Sequence, residues 1–133
     1  MIPQENFRNT NEPVTLSTEE NLYDLSMLEE MDDNEYMAEM LTIYLKETPE
    51  ELKEIRAALT AGKTEIIARK AHKLKNSAGV LQANNLMALL TNIETIAKSG
   101  KVNEELITLI ADVHREHKNI EYGLRKYLET LKL

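Results

Sequence analysis

From Asn103 to Leu131 one set of positions recurs at alternating steps of four and three: Leu106, Ile110, Val113, His117, Ile120, Leu124, Tyr127 and Leu131. A stripe of that period, held over so many turns, belongs to a long helix that packs against other helices at a small crossing angle. The chain has the composition for it. Gly 4 and Pro 3 in 133 residues are too few for a turn-dense β architecture, and 42% hydrophobic residues suffice for a core. With Phe 1 and Trp 0, that core is built from Leu, Ile, Met, Val and Ala.

Shorter seams precede this one. Met37, Met40, Leu41, Tyr44, Leu45, Leu52, Ile55 and Leu59 mark a helix over about 35–61, interrupted by Pro49. Proline removes a donor and crowds the preceding turn, and Thr48-Pro49-Glu50-Glu51 is also a good helix start, so this segment reads as one kinked helix or two stacked ones. Ala61-Gly62 supplies a left-handed stop. Ile67, Ala71, Leu74, Ala78 and Leu81 define a helix from about Lys63 to Val80, and Leu86, Leu90, Ile93 and Ala97 another from about Asn84 to Lys98, stopped at Ser99-Gly100. Two S-x-x-E patterns, Ser17–Glu20 and Ser26–Glu29, predict a short, broken first helix over about 18–32, with Asp32, Asp33 and Asn34 as caps for the next. The predicted fold is all-α: an antiparallel up-down-up-down four-helix bundle with a short extra N-terminal helix. Residues 1–16, polar and aperiodic, read as a flexible tail, and residues 17–133 as the bundle domain.

Charge and residue content exclude several classes of function. A net charge of −7 disfavours binding to a nucleic-acid backbone or an anionic membrane surface, and leaves room only for a local basic patch. Cys 0 removes disulfides, thiol catalysis and Cys-ligated zinc, and suits the cytoplasm. There is no spanning-length apolar run, no signal-peptide pattern and no Gly-rich phosphate loop. His114-x-x-His117 has the spacing of a metal pair, but His117 lies in the core stripe, which favours a hydrogen-bonded core histidine.

His72 is different. On the third long helix it lies about 200° from the core residue Leu74, at ~100° per residue. The same wheel places Ala68, Lys75, Asn76 and Gly79 around it on an outer face. Small neighbours leave an imidazole reachable by another macromolecule. Gly79, unfavourable in a helix by about 1 kcal/mol relative to Ala, would suit close approach of a partner's backbone.

The run Ala71-His72-Lys73-Leu74-Lys75-Asn76-Ser77-Ala78-Gly79-Val80-Leu81-Gln82-Ala83, with Leu86 beyond it, resembles the signature A-H-x-L-K-G-S-[SA]-x-x-[LIV]-G-A-x-x-L of histidine-containing phosphotransfer (HPt) domains. Asp24-Leu25-Ser26-x-Leu28 and the Leu45–Leu52 stretch with Thr48-Pro49 resemble the family's flanks, and the likeness spans about 22–131. Asn76 and Gln82 stand where the signature has glycine.

The resemblance implies a carrier without kinase activity of its own in a multistep two-component phosphorelay. His72 would accept a phosphoryl group from a receiver-domain aspartate and pass it to another. Lys75 would offset phosphoryl charge, and Glu94, on the next helix, would accept a hydrogen bond from the imidazole and orient it. Ala68, Asn76 and Gly79 would form the docking face. The implied partners are receiver domains and a hybrid sensor kinase, with the chain a monomer, no cofactor of its own, and any Mg²⁺ held by the receiver. Two other readings stand beside this one. A sensor-kinase dimerisation domain is disfavoured because Lys73 follows the histidine where that class has acidic or amide-rich residues. A helical interaction adaptor with a non-transferring histidine is the alternative function.

Overall fold

The computed structural model describes residues 22–131; the N-terminal tail and the Ser17–Glu20 pattern lie outside them. Within this range the chain forms α1 (Ser26–Glu29), α2 (Asn34–Ala61), α3 (Thr64–Val80), α4 (Asn84–Lys98) and α5 (Glu104–Leu131), with no strand among the described residues. Each long helix packs on the next, and α2 packs on α5, which closes the four into a ring. Short turns keep consecutive helices side by side, and the buried faces of α2 and α5 close the ring.

The helix ends have local causes. Asp33 Oδ1 accepts from the Tyr36 N–H at 3.0 Å and starts α2. Gly62 ends it at φ 71°, where the Lys63 N–H donates to the Ala58 carbonyl at 2.8 Å. Asn103 Oδ1 accepts from the Leu106 N–H at 2.8 Å at the head of α5. Ser26 is not a cap as its pattern suggested. It is the first helical residue of α1, and Asp24 Oδ1 accepts its N–H at 2.9 Å, because an Asx side chain reaches a donor two residues on. Of the two readings offered for residues 35–61, the structure has a single helix with Pro49 inside it.

The seams predicted from spacing are the core. Ile67, Ala71, Leu74, Ala78 and Leu81 are buried from α3 and its C-cap, Leu86, Leu90, Ile93 and Ala97 from α4, and Leu106 through Leu124 of the long stripe from α5. Tyr127 and Leu131, at the end of that stripe, are only partly covered. The Tyr127 hydroxyl instead donates to Glu29 Oε2 at 2.8 Å and ties α5 to α1. Burial, reinforced by that carboxylate, pushes its phenol up to about 12. Small buried residues on α3 and α4, among them Ala68, Ala71 and Ala97, leave room for the two backbones to come close.

The junction between α3 and α4 contains the strained residue of the signature run. Gln82 adopts φ 51°, and the Ala83 N–H donates to the Ala78 carbonyl at 2.9 Å, so the helix closes in the left-handed manner that favours glycine. The Asp24 N–H donates to the Leu81 carbonyl at 2.9 Å and seals the turn from outside. The departure from glycine at position 82 is therefore a question of backbone strain.

Candidate functional site

Of the residues singled out in the sequence, His72, Lys75 and Glu94 meet at the seam between α3 and α4. The wheel position of His72 leaves its side chain 59% exposed. Glu94 follows the fully buried Ile93 by one residue, so its side chain starts at the edge of the core and ends under the imidazole, only 7% exposed. His72 Nδ1 stands 2.9 Å from Glu94 Oε2. A carboxylate is an acceptor only, so the imidazole is the donor and carries a proton on Nδ1; in the neutral ring the lone pair is then on Nε2. Among the described residues Nε2 has no protein partner.

Lys75, one turn beyond His72, donates from Nζ to Glu94 Oε1 at 2.9 Å and is 26% exposed. Lys98 was not singled out in the sequence. Its Nζ stands 3.0 Å from Oε2, the oxygen that His72 also uses. The clue lay in the i,i+4 spacing of Glu94 and Lys98, which puts both on one strip of a helix. Hydrogen bonds from Lys75 and then Lys98 outweigh partial desolvation and, with that from His72, pull the Glu94 carboxyl down to about 2. It is a carboxylate at neutral pH. On the other flank of α3, Lys73 donates to Glu51 Oε2 at 2.7 Å, and Lys70 pairs with Glu51 Oε1 at 3.0 Å and with Glu54. These pairs lash α3 to α2, and the Lys73 bond foremost holds the Glu51 carboxyl below its ordinary range.

The predicted docking face needs one correction. Asn76 is exposed a turn after His72, but Ala68 is buried, at 7% exposure. A wheel treats the helix alone, whereas α4 packs along this side of α3. Ala68 lines an open groove together with Arg69, His72, Ala97, Lys98 and Gly100, and its methyl is shielded there. Gly79 is half-buried. A Cβ placed on it would lie 3.8 Å from the Met87 sulfur and methyl, an ordinary contact, so packing against α4 does not require glycine there.

The other histidines are occupied elsewhere. His117 is buried, with Nδ1 3.3 Å from the Tyr44 hydroxyl, and burial depresses its imidazole to about 4. His114 Nδ1 donates to the Ile110 carbonyl at 3.1 Å, its own helix's previous turn. Among the described residues no three His, Asp or Glu side chains gather as a metal-binding set.

Comparison with known proteins bears on the fold and the family. The fold resembles the crystal structure of histidine-containing phosphotransfer protein B (HptB) from Pseudomonas aeruginosa PAO1, with a TM-score of 0.76 and 23% sequence identity over 82% of this chain and 96% of that one. No curated protein gives a significant sequence match. The sequence matches the Hpt domain family over residues 39–132, most of the bundle. With its exposed imidazole on a four-helix bundle, the chain belongs to the Hpt family, the histidine phosphotransfer modules of two-component signalling.

Proposed function

We propose that His72 is the phosphoryl carrier of a multistep relay, loaded by a receiver-domain aspartyl phosphate and discharged to an aspartate of a second receiver. The observation that carries this reading is the bond of 2.9 Å between Nδ1 of an exposed imidazole and a carboxylate beneath it. It fixes the tautomer whose free lone pair, on Nε2, is turned away from its own protein. In the transfer step that lone pair forms a bond to phosphorus. The phosphorus–oxygen bond of the acyl phosphate breaks, and its electron pair leaves with the aspartate carboxylate. The ring retains the Nδ1 proton and becomes a cation, which Glu94 stabilises by a charge-assisted hydrogen bond. Lys75 holds the other carboxylate oxygen, so Glu94 cannot rotate away, and its ammonium adds positive potential beside the reacting group.

Asn76 and Gly79, on the exposed side of α3, form the face that a receiver approaches, and Asn76 can donate to a phosphoryl oxygen from one turn away. No helix among the described residues is long and apolar enough to cross a membrane. The chain acts as a monomeric carrier in the cytoplasm, with Mg²⁺ belonging to the receiver.

Incubation with a panel of phosphorylated receivers tests the reading. Acid-labile label should appear on the wild type and not on His72→Gln, and Glu94→Ala should take label more slowly while keeping its helical signal. Label from ATP alone would indicate a kinase, and no label from any receiver would favour the adaptor.

A further inference from the structure

The Glu94 carboxylate is shared unevenly. Oε1 serves Lys75 alone, whereas Oε2 serves both His72 Nδ1 and Lys98 Nζ. While the imidazole is neutral, a single negative charge holds two ammonium groups, and the shared oxygen divides its acceptor capacity between an uncharged N–H and a cation. The lysines differ in freedom. Lys75 sits in the seam, whereas Lys98 is 67% exposed on the last turn of α4. It also lines the open groove beside His72, with Arg69 and Ser99.

Phosphorylation alters both sides of this arrangement. The N–P bond adds a doubly charged phosphoryl group at Nε2 and leaves a positive charge on the ring. Nδ1–H then becomes a charged donor to Oε2, which makes it the stronger claimant of that oxygen. New negative charge stands at the same time on a ring that lines the groove together with Lys98, whose four-carbon stem gives it reach. His72 Nδ1 and Lys98 Nζ already share an oxygen within hydrogen-bond distance, so the move needs side-chain rotation only and no shift of either helix.

We propose that Lys98 changes partner when His72 is phosphorylated: it gives up Oε2 of Glu94 to the imidazolium and turns into the groove to hold the phosphoryl oxygens. Lys75 stays on Oε1 and keeps the carboxylate in place. Lys98 is thus the phosphoryl-contacting cation of the loaded carrier, and the resting ion pair with Glu94 is where it waits. This inference rests on His72 being the acceptor.

The test uses phosphoramidate, a small N–P donor that transfers its phosphoryl group to imidazole with loss of ammonia, so no receiver is involved. The full chain, Lys98→Met and Lys98→Arg are loaded and followed by ³¹P NMR at fixed mildly alkaline pH, with the lysine ¹⁵Nζ signals observed before and after. The Lys98 signal of the wild type should move on loading while that of Lys75 stays nearly still. Lys98→Met should shorten the phosphohistidine lifetime by about threefold, the range of an exposed charge contact, and Lys98→Arg should restore most of it. An unchanged lifetime in Lys98→Met, an unmoved Lys98 signal, or a loss that arginine does not rescue would overturn the proposal while leaving His72 as acceptor. A wild type that takes no phosphoryl group on His72 would overturn both.

Discussion

Replacing Glu94 by glutamine keeps the shape of the side chain and removes its charge, which isolates what the carboxylate contributes. Its carboxyl lies at about 2, against an ordinary 4.5. At ~1.36 kcal/mol per pK unit, that difference is worth at most about 3.4 kcal/mol to the folded state. The full figure does not apply, because two of the three donors, His72 and Lys98, are 59% and 67% exposed and solvent screens their share. Weighted toward the better sheltered Lys75, the contribution falls to about 1–1.5 kcal/mol. Because folding lowers this pKa, the stability is fully present above about pH 4.5 and is lost as pH falls toward about 2. Urea unfolding of wild type and Glu94→Gln at several pH values between 7 and 2 measures it. Other carboxylates titrate in the same window, so the informative quantity is the difference between the two proteins. The wild type should lose about 1–1.5 kcal/mol more than the variant between pH 5 and pH 2. If the two curves stay parallel through that range, Glu94 is not held by its cations in solution, and the fixed tautomer of His72 loses its support.

Gln82→Gly should raise the stability by about 0.5–1 kcal/mol in urea melts, because it relieves a side chain held at φ 51° at a modest cost in unfolded-state entropy. His117, whose imidazole is depressed to about 4 by burial, is neutral in the fold while the unfolded chain binds its proton below about 6.5. Stability should therefore fall by about 2–3 kcal/mol as pH drops from 6.5 to 4, and His117→Gln should flatten that slope in the same assay. A Cβ on Gly123 would run into the Tyr23 ring, so Gly123→Ala should cost about 1–3 kcal/mol by overpacking, read as a lower thermal midpoint.

How much of this was legible before any coordinates depended on whether one helix could be considered by itself. The four-three spacing of Leu106 to Leu124 needs only a helical period, and those residues are the buried face of α5. Pro49 was ambiguous because the local cost of a proline and the packing on both sides of it pull in opposite directions. Leu45 and Leu52 both stay buried, and α2 runs through. Ala68 was placed on an outer face by a wheel that cannot contain α4. Glu94 and His72 lie on different helices, so periodicity could not pair them, and only the resemblance to a known family did. Lys98 needed nothing beyond its spacing from Glu94 to be noticed, but its importance comes from the oxygen it shares with a histidine on another helix. Gln82 was legible as a departure from the signature's glycine, but that the departure falls in a left-handed turn needed its φ.

Glu94 and Lys98 make sense as a pair. An amide at position 94 could accept the Nδ1–H bond and fix the same tautomer, but it would leave the ammonium groups of Lys75 and Lys98 facing each other without an anion between them. The carboxylate makes two cations tolerable beside the imidazole, and it thereby stores positive charge at the seam before any phosphoryl group arrives. On the proposed mechanism the resting cluster has one positive charge in excess. The loaded cluster, with a cationic ring and a doubly negative phosphoryl group added, comes out neutral. Loading then discharges the site instead of building up unpaired charge on it, and this holds only while both Glu94 and Lys98 are present. Removing the lysine alone would leave the loaded site with an unbalanced negative charge at its exposed end. Removing the carboxylate alone would leave the resting site with unbalanced positive charge at its buried end.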